Sequence, residues 1–292
     1  MATSVPVRIP KSTGRTLGPM RASAKLRTVP NLPTMLFALA IALVLSACGG
    51  DRNAAPADEA NDATEEPQVV DVAASGVRTS PDISEPVARP DIEVVDESIV
   101  RIIGFGCGAP ALGSGFAVSE NLVVTSGHVV TGRDPESLAV LRSSGEEFAA
   151  TLVGFDLDLD LAVLRVDGIG LDPVNLITDV PVVDGVAVGI RSEAGEPFIN
   201  EVDFTVDAPV NVNWDGVFRD TESRFRGVRI DATIRPGDSG SGLFVNDHDV
   251  IGLIHSRNRN GVPRAYAVGS VEIADFVDSI DPDMEIVADR CA

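Results

Sequence analysis

Basic residues are scarce in this chain of 292 residues, which has 23 Lys and Arg against 44 Asp and Glu and a formal net charge of −21. A chain with so few cations lacks the basic surface that phosphate recognition needs, which argues against nucleic acid as a partner. The scarcity is uneven along the chain. Both lysines, Lys11 and Lys25, lie in residues 1–47, which hold six basic residues and no acidic one. The chain therefore joins a basic leader to a strongly acidic remainder.

Long hydrophobic runs are also lacking. The apolar run at 35–45 has 11 residues, whereas a membrane-spanning helix needs about 20. This run follows the basic leader and is followed by Leu-Ser-Ala-Cys, ending at Cys48, which resembles a bacterial lipobox. We therefore predict a signal peptide of the lipoprotein type at 1–47, with Cys48 lipidated. An ordinary cleaved signal and an uncleaved anchor are the alternatives. All three place the remainder outside the cytoplasm, at the membrane or secreted.

Cysteine is limited to three residues, Cys48, Cys107 and Cys291. Lipidation of Cys48 would leave Cys107 and Cys291 to form a disulfide in an oxidising compartment. The alternative is two buried free thiols. Neither cysteine has a second ligand at the spacing of a metal site, so no metal is predicted. No cofactor is predicted either.

Aromatic residues are absent from 49–98, a stretch with 13 acidic residues and three arginines. Such a segment buries too little apolar surface to offset the entropy of ordering it. We therefore predict a disordered acidic tether at 48–97 and a folded domain at 98–292.

The pattern changes to that of a β protein from residue 98 onward. About a dozen short Val, Ile, Leu and Phe runs are separated by Gly, Asp and Pro, which is typical of a sandwich or a pair of barrels. The one clear helical pattern is at 270–280, with Ser270 as a possible N-cap.

Three segments carry residues with candidate chemistry. His128 follows the strand LVVTS, Asp160 precedes the apolar run LAVL, and Ser239 lies in the turn Gly-Asp-Ser-Gly. A serine hydroxyl becomes a nucleophile when an imidazole takes its proton, and the imidazole needs a buried carboxylate to fix its tautomer. These three residues are therefore the candidate catalytic residues, in the chain order His, Asp, Ser.

The aspartates around Asp160 leave a second interpretation open. Asp156, Asp158 and Asp160 alternate, which predicts that they share one face of an extended chain. Asp158 therefore competes with Asp160 for the catalytic role. The same aspartates resemble the start of a calcium-binding loop, but Leu161 stands where that loop needs glycine, so calcium is not expected.

Four motifs in sequence order resemble those of the trypsin-like, chymotrypsin-fold serine proteases, above all the HtrA-like and membrane-tethered bacterial branch. They are GSGF at 113–116, TSGHVV at 125–130, DLAVL at 160–164 and GDSGS at 237–241. The resemblance implies an all-β fold of two antiparallel β-barrels with a short C-terminal helix. It implies His128 as general base, Asp160 as its orienting group and Ser239 as nucleophile. The N–H groups of Gly237 and Ser239 would form the oxyanion hole.

The sequence departs from the pattern of this family near both turns. Gly127 before the histidine and Ser241 after the serine replace more usual residues, which we expect to loosen the backbone. No PDZ domain is predicted, since 12 residues follow Ile280. No N-terminus of the trypsin type is visible, so activation by chain cleavage is not predicted.

The resemblance also suggests a substrate pocket. Its residues would be Thr233, Ile254, His255, Ser256 and Arg257. A neutral Thr233 at the base argues against cleavage after Lys or Arg. The arginines at 257, 259 and 264 suggest an acidic substrate residue instead.

Two functions follow from the sequence. The first is a tethered serine endopeptidase that acts on protein or peptide substrates. The second is a catalytically weak or inactive relative that serves as a binding or sensing lipoprotein. A lipase of the α/β-hydrolase type is disfavoured, because that fold places its histidine last in the chain.

Overall fold

The computed structural model describes residues 68–71, 89–178, 183–215, 222–258 and 262–288. All of these residues belong to one compact unit, 61–292. The predicted signal peptide with Cys48, and also Arg259 and Cys291, lie outside the described residues. None of the helices within the described ranges is long and apolar enough to cross a bilayer.

The described chain consists mainly of strands. In order, the elements are β1 (Gln68–Asp71), α1 (Ile92–Asp96), β2 (Ile99–Ile103), β3 (Phe105–Gly106), β4 (Ala109–Pro110), β5 (Gly113–Ser119), β6 (Leu122–Ser126), α2 (Gly127–Val130), a 3₁₀ turn (Pro135–Ser137), β7 (Ala139–Leu141), β8 (Glu147–Ala149), β9 (Thr151–Asp156), β10 (Leu161–Arg165), β11 (Asn175–Leu176), β12 (Asp184–Glu193), β13 (Glu196–Asp215), β14 (Glu222–Asp231), β15 (Gly242–Phe244), β16 (Asp249–Arg257), β17 (Arg264–Gly269) and α3 (Ser270–Asp278).

Two curled sheets form most of the domain, and β3 and β4 form a separate two-stranded sheet. The first sheet has seven strands in the order β8-β7-β2-β5-β6-β10-β9. The second has eight, running β1-β13-β12-β15-β16-β17-β14, with β11 added beside β16. An additional β13–β14 pairing closes its central strands into a ring. All pairings except that of β11 with β16 are antiparallel. The structure thus confirms the predicted all-β fold of two antiparallel barrels.

The central strands of the first sheet are buried on both faces. Along β6, Val123 packs in a cluster within the first sheet, whereas Val124 packs in a second cluster that includes residues of the other sheet. Along β10, Ala162 and Val163 divide in the same way. Because successive side chains of a strand point to opposite faces, both strands read as continuous apolar runs rather than as alternating ones.

The predicted disordered tether differs from the structure at its described residues. β1, from within that segment, pairs with residues 210–213 of β13. Arg89 forms ion pairs with Glu201 and Asp203 at 2.8 and 2.5 Å. α1 follows, and its Val95 is fully buried. The folded residues therefore include some before 98, because the backbone of β1 pairs with β13 and Val95 is buried although the local composition is acidic.

The C-terminal helix is present, with a different cap from the predicted one. Gly269 is the N-cap residue of α3 and makes no side-chain cap bond. The hydroxyl of Ser270 donates instead to the carbonyl oxygen of Ile177. The Ser270 hydroxyl thus makes a tertiary hydrogen bond instead of capping the helix. The short helices α1 and α2 were not expected from the sequence.

After α3 the chain returns to the first sheet. The guanidinium of Arg165 donates to the carbonyl of Pro282 at 2.7 Å. The N–H of Ile286 donates to the carbonyl of Leu152 at 2.9 Å. A further bond, from the N–H of Gly132 to the carbonyl of Ala288, is 2.7 Å long. We call residues 281–288 the C-terminal tail.

Candidate active site

His128 lies directly after β6. The strand ends at Ser126, and the single turn of α2 carries His128 with its side chain 22% exposed. The hydroxyl of Thr131 donates to the carbonyl of Gly127 at 2.8 Å and closes this turn. The strand therefore presents an imidazole at its end, as the sequence predicts.

Asp160 ends the turn between β9 and β10. The carboxylate of Asp156 accepts hydrogen bonds from the N–H groups of Asp158 and Leu159, at 2.9 and 2.8 Å, which makes the turn tight. Asp160 has a left-handed backbone, with φ 53°, and is 2% exposed. The predicted common face of the three aspartates is therefore wrong, because the chain turns there. Asp158 is exposed, and Asp160 alone is carried inside.

Two hydrogen bonds join His128 to Asp160. The ring Nδ1 lies 2.6 Å from Oδ2, and the backbone N–H of His128 donates to Oδ1 at 2.7 Å. Since an ionised carboxylate only accepts, Nδ1 carries the ring proton of the neutral imidazole and Nε2 keeps its lone pair. A histidine in this tautomer can accept a proton at Nε2 as a general base.

Gly127 permits this close approach. A Cβ atom on Gly127 would lie 3.0 Å from Oδ1 of Asp160 and 3.0 Å from the ring of Phe155. The N–H of Gly127 also donates to the carbonyl of Asp160 at 2.7 Å. The expectation that this glycine loosens the turn is therefore wrong, because the missing side chain makes room for the carboxylate.

The two partners shift each other's pKa. Burial raises the pKa of the Asp160 carboxyl, but the charges and hydrogen bonds of His128 and His255 outweigh burial and hold that pKa well below its usual range. Burial and the nearby Arg133 lower the pKa of His128, whereas Asp160 raises it, and the net shift is upward. The carboxylate stays ionised near neutral pH, and the imidazole is a stronger base than a free histidine.

A second histidine contacts the same carboxylate. Nε2 of His255 lies 3.1 Å from Oδ2 of Asp160, and the His255 side chain is fully buried. The ring of Phe225 packs against it with a centroid separation of 4.9 Å. The sequence placed His255 in the substrate pocket, which is wrong for its side chain. The sequence signal for this buried contact was a histidine in the largely apolar run VIGLIHS. Sequence alone does not identify the partner of that histidine.

Ser239 lies in a turn that docks on the first sheet. The flanking Gly237 and Gly240 have φ of 97° and 86°. A Cβ on Gly240 would lie 2.0 Å from the carbonyl oxygen of Ser114 in β5, so this position requires glycine. The N–H of Ser114 donates to the carbonyl of Ser239 at 2.8 Å.

The backbone N–H groups of this turn are of two kinds. Those of Asp238 and Gly240 donate to backbone carbonyls at 3.1 and 2.9 Å. Those of Gly237 and Ser239 donate to no residue that the structure describes. Preorganised N–H donors without an internal partner are what an oxyanion site requires.

Asp238 supports the turn from inside the second sheet. Its carboxylate accepts from the N–H of Arg235 at 2.7 Å and from the amide of Asn200 at 3.0 Å. Nε of Arg191 lies 3.7 Å away. Burial raises the pKa of the Asp238 carboxyl, although the Arg235 hydrogen bond and the Arg191 charge act in the opposite direction. The partners of the carboxylate thus come from the turn itself and from β12 and β13.

One carbonyl links the histidine and serine turns. The carbonyl oxygen of Ile254 accepts from the hydroxyl of Ser126 at 3.1 Å and from the N–H of Gly240 at 2.9 Å. Ser126 precedes α2, which carries His128, and Gly240 follows Ser239. β16 therefore brings the turns of the two sheets together.

Ser241 fits without disturbing the serine turn. It is 3% exposed, and a Cβ on Gly189 of β12 would lie 2.1 Å from its hydroxyl oxygen. Gly189 therefore provides the space that Ser241 occupies. The expected loosening at this position is not observed.

A cavity of about 140 Å³ lies beside the serine turn. Its lining residues are Ala232, Thr233, Ile234, Arg257, Asn258, Val262, Pro263 and Arg264. Two of the predicted pocket residues, Thr233 and Arg257, are among them. Ile254, His255 and Ser256 do not line it, because Ile254 is buried in the core and His255 turns to Asp160.

The described residues contain no group of three or more His, Cys, Asp or Glu side chains placed to hold a metal. His248 lies in the turn before β16, where its N–H donates to the side-chain oxygen of Asn246 at 2.9 Å. Cys107 is disulfide-bonded, and its Sγ lies 3.2 Å from the carbonyl oxygen of Gly132.

Comparison with known proteins agrees with this geometry. The trypsin-like peptidase domain matches residues 113–253, a segment that includes His128, Asp160 and Ser239. The chain is 29% identical, over 211 residues, to a probable periplasmic serine endoprotease DegP-like from Marinomonas sp. (strain MWYL1), covering 68% of this chain and 43% of that protein. It is 31% identical to serine protease HTRA4 of Homo sapiens, covering 56% and 34% of the two chains.

Solved structures give the same fold. The active form of the Rv3671c protease from M. tuberculosis superposes with a TM-score of 0.61 at 20% identity, covering 72% of this chain and 96% of that one. At this identity the likeness concerns the fold alone. The chain spans less than half the length of the two relatives named above.

Proposed function

Because residues 113–253 match the trypsin-like peptidase domain, we propose that the chain is a serine endopeptidase that hydrolyses protein or peptide substrates. The observation that carries the proposal is the pairing of His128 with the buried Asp160, linked through β16 to a serine turn with two available N–H donors. Ser239 would be the nucleophile, His128 the general base and Asp160 the group that orients it.

In the first half of the reaction, Oγ of Ser239 attacks the scissile carbonyl carbon while Nε2 of His128 takes the hydroxyl proton. The carbonyl oxygen becomes an oxyanion, which accepts hydrogen bonds from the N–H groups of Gly237 and Ser239. The carbon–nitrogen bond then breaks. His128 returns the proton to the leaving nitrogen, and the acyl group stays on Ser239 as an ester.

In the second half, water replaces the leaving amine. Nε2 of His128 takes a proton from water as its oxygen attacks the ester carbon, and the same N–H groups hold the oxyanion. The ester bond to Ser239 breaks, the serine oxygen regains its proton from His128, and the acid product leaves. Asp160 stays ionised throughout and stabilises the imidazolium.

The alternative is a catalytically weak or inactive protease-like lipoprotein with a binding or sensing role. It rests on the unusual residues Gly127 and Ser241, which the sequence predicts to loosen the two turns. Both positions are closely packed, with Asp160 against the first and Gly189 beside the second. This packing favours the active enzyme.

We also propose that the enzyme works outside the cytoplasm, anchored through a lipidated Cys48 after removal of 1–47. The basic leader and the short apolar run support this location, and the first relative named above is described as periplasmic. Detection of a lipid-modified Cys48 by mass spectrometry would test it, with Cys48→Ser as control. Release of the Cys48→Ser chain into the soluble fraction is the expected result.

We infer that Cys107 pairs with Cys291. The C-terminal tail supports this pairing, because Ala288 accepts a hydrogen bond from Gly132, the residue whose carbonyl lies 3.2 Å from Sγ of Cys107. Cys291 follows Ala288 by three residues, which is within reach of an extended chain. Peptide mapping without reduction should recover the two cysteines in one linked peptide.

Active-site labelling tests the proposed chemistry. The full chain should react with a fluorophosphonate probe, and Ser239→Ala should abolish the reaction. Ser241→Ala is the matched control, since that buried serine lies two positions away and has no assigned role. If neither the native chain nor the control is labelled, the chain is not an active serine hydrolase. Labelling that persists in Ser239→Ala but disappears in Ser241→Ala would show that Ser241, and not Ser239, is the nucleophile.

A further inference from the structure

The cavity beside the serine turn has an unusual charge. Two of its lining residues are arginines, Arg257 and Arg264, and no Asp or Glu lines it. The chain as a whole has almost twice as many acidic as basic residues, 44 against 23. A cavity lined by cations without a carboxylate therefore contrasts with the surface around it.

The cavity lies where a substrate side chain would enter. On one side, Ile234 lines it and is followed directly by Arg235, whose N–H bonds to Asp238 beside the nucleophile. On the other side, Arg257 lines it two residues after His255, which contacts Asp160. Two residues of extended strand span about 7 Å. The cavity is thus adjacent to the catalytic groups along both segments.

Arg264 has an unfulfilled hydrogen-bond donor. Its Nε is buried and has no hydrogen-bond partner among the described residues. Its Nη2 lies 3.9 Å from Oδ2 of Asp207, the same oxygen that already accepts from Nε of Arg229 at 2.5 Å. A buried polar group without a partner is costly, so the guanidinium of Arg264 is incompletely compensated by its described neighbours.

Arg257 has no carboxylate partner among the described residues. It is exposed and forms no ion pair within the part of the chain that the structure describes. Thr233, at the position predicted for the base of the pocket, offers a neutral hydroxyl rather than a competing charge. A cationic substrate side chain would meet two like charges here, whereas an anionic one would meet two opposite charges.

From these observations we infer that the cavity binds the side chain of an acidic residue, Glu or Asp, on the acyl side of the scissile bond. Arg264, whose side chain is 36% exposed, would donate to one carboxylate oxygen, and Arg257 would contribute a second charged contact. The inference rests on the proposed function, and it names the substrate class of that site. Charged hydrogen bonds of this kind are stronger than neutral ones.

Matched peptides test the preference. Four fluorogenic substrates would differ only at this residue, carrying Glu, its neutral isostere Gln, Leu or Lys. The full chain should cleave the Glu peptide with a kcat/KM about 10- to 100-fold above that of the Gln peptide, the factor expected for one charged hydrogen bond. The Lys peptide should be the poorest. The advantage of Glu over Gln should decrease as salt is added, because Arg257 is exposed.

Variants assign the preference to the arginines. Arg264→Gln should remove most of the advantage of Glu over Gln, and Arg257→Gln should remove a smaller part. Arg226→Gln is the matched control, since Arg226 is exposed and pairs with Glu272 away from the cavity. It should leave the ratio of Glu to Gln cleavage unchanged.

The outcomes separate this inference from the proposed function. Equal cleavage of Glu and Gln peptides by a chain that reacts with fluorophosphonate would overturn the acidic preference and leave the peptidase intact. Highest cleavage after Lys would do the same. If Arg264→Gln and Arg226→Gln lowered the ratio of Glu to Gln cleavage equally, the cavity would not be the source of the preference for Glu. No reaction with the probe would overturn both.

Discussion

The two halves of the site differ in how completely their polar groups are paired. In the catalytic half, Asp160 accepts from the backbone and ring of His128 and lies within 3.1 Å of His255. In the binding half, Arg264 has a buried Nε without an acceptor, and Arg257 has no ion pair among the described residues. The comparison teaches that the groups proposed to react are already paired, whereas those proposed to select the substrate are not fully paired within the described residues.

Removing the charge of Asp160 should produce the largest change. In Asp160→Asn the amide cannot serve both the N–H of His128 and its ring as the carboxylate does, so the wrong imidazole tautomer is favoured. We expect kcat to fall by about 10⁴-fold with little change in KM. Steady-state kinetics on one peptide would measure this. A drop of less than 10-fold would mean that Asp160 is not the orienting group, and Asp158→Asn is the matched control with no expected effect.

A methyl group at Gly240 should disrupt the docking of the serine turn. In Gly240→Ala, Cβ would meet the carbonyl of Ser114 at 2.0 Å with a left-handed backbone. We expect a loss of more than about 2 kcal/mol in the free energy of unfolding, together with loss of fluorophosphonate reaction. Urea denaturation would measure the stability. Gly145→Ala is the control, since that left-handed glycine has open space around it, and an equal loss in both would show that backbone strain alone is responsible.

Shortening His255 should have a smaller effect on the catalytic half. His255→Ala would leave Asp160 with one fewer buried partner, so the carboxylate would hold His128 less firmly. We expect kcat to fall by about 10-fold, the equivalent of roughly 1.4 kcal/mol, with KM nearly unchanged. His255→Asn, which keeps an N–H donor, should recover part of the loss. Equal kcat in the Ala and Asn variants would indicate that His255 only fills space.

The pH dependence should show the smallest change. His128 must be neutral to accept a proton, and Asp160 raises its pKa. The acid limb of kcat/KM should therefore lie above pH 6.5, the approximate pKa of free histidine, and should move down in Asp160→Asn. The raised pKa also contributes stability that is fully present below about pH 6.5 and is lost as pH rises through the folded-state value. An acid limb with a midpoint below the pKa of free histidine would contradict the assignment of His128 as the general base.

Much of the fold could be predicted because it depends on local patterns. The apolar runs LVVTS and LAVL predict β6 and β10 almost to the residue, since their burial on both faces leaves continuous hydrophobic sequence. The burial of Asp160 followed from its place before such a run. In contrast, β1 and α1 were hidden by an acidic composition, and their order depends on distant partners such as residues 210–213.

The missed parts of the site depend on contacts between distant segments. The role of His255 depends on Asp160, which lies 95 positions away, and the unpaired Nε of Arg264 depends on how Asp207 and Arg229 pair. The effects of Gly127 and Ser241 were misjudged for the same reason. Gly127 makes room for Asp160, and Gly189 makes room for Ser241. Both partners are distant in the sequence, so the sequence alone does not show these contacts.

The C-terminal tail has a consequence for how the domain unfolds. It follows the second sheet along the chain yet bonds to the first through Leu152 and Gly132, so the first sheet cannot be released while the tail stays bound. Heat should therefore unfold the two sheets in one cooperative transition. If the chain is the proposed peptidase, a partly unfolded sheet would be a substrate for neighbouring copies. Docking of the tail would then limit self-digestion.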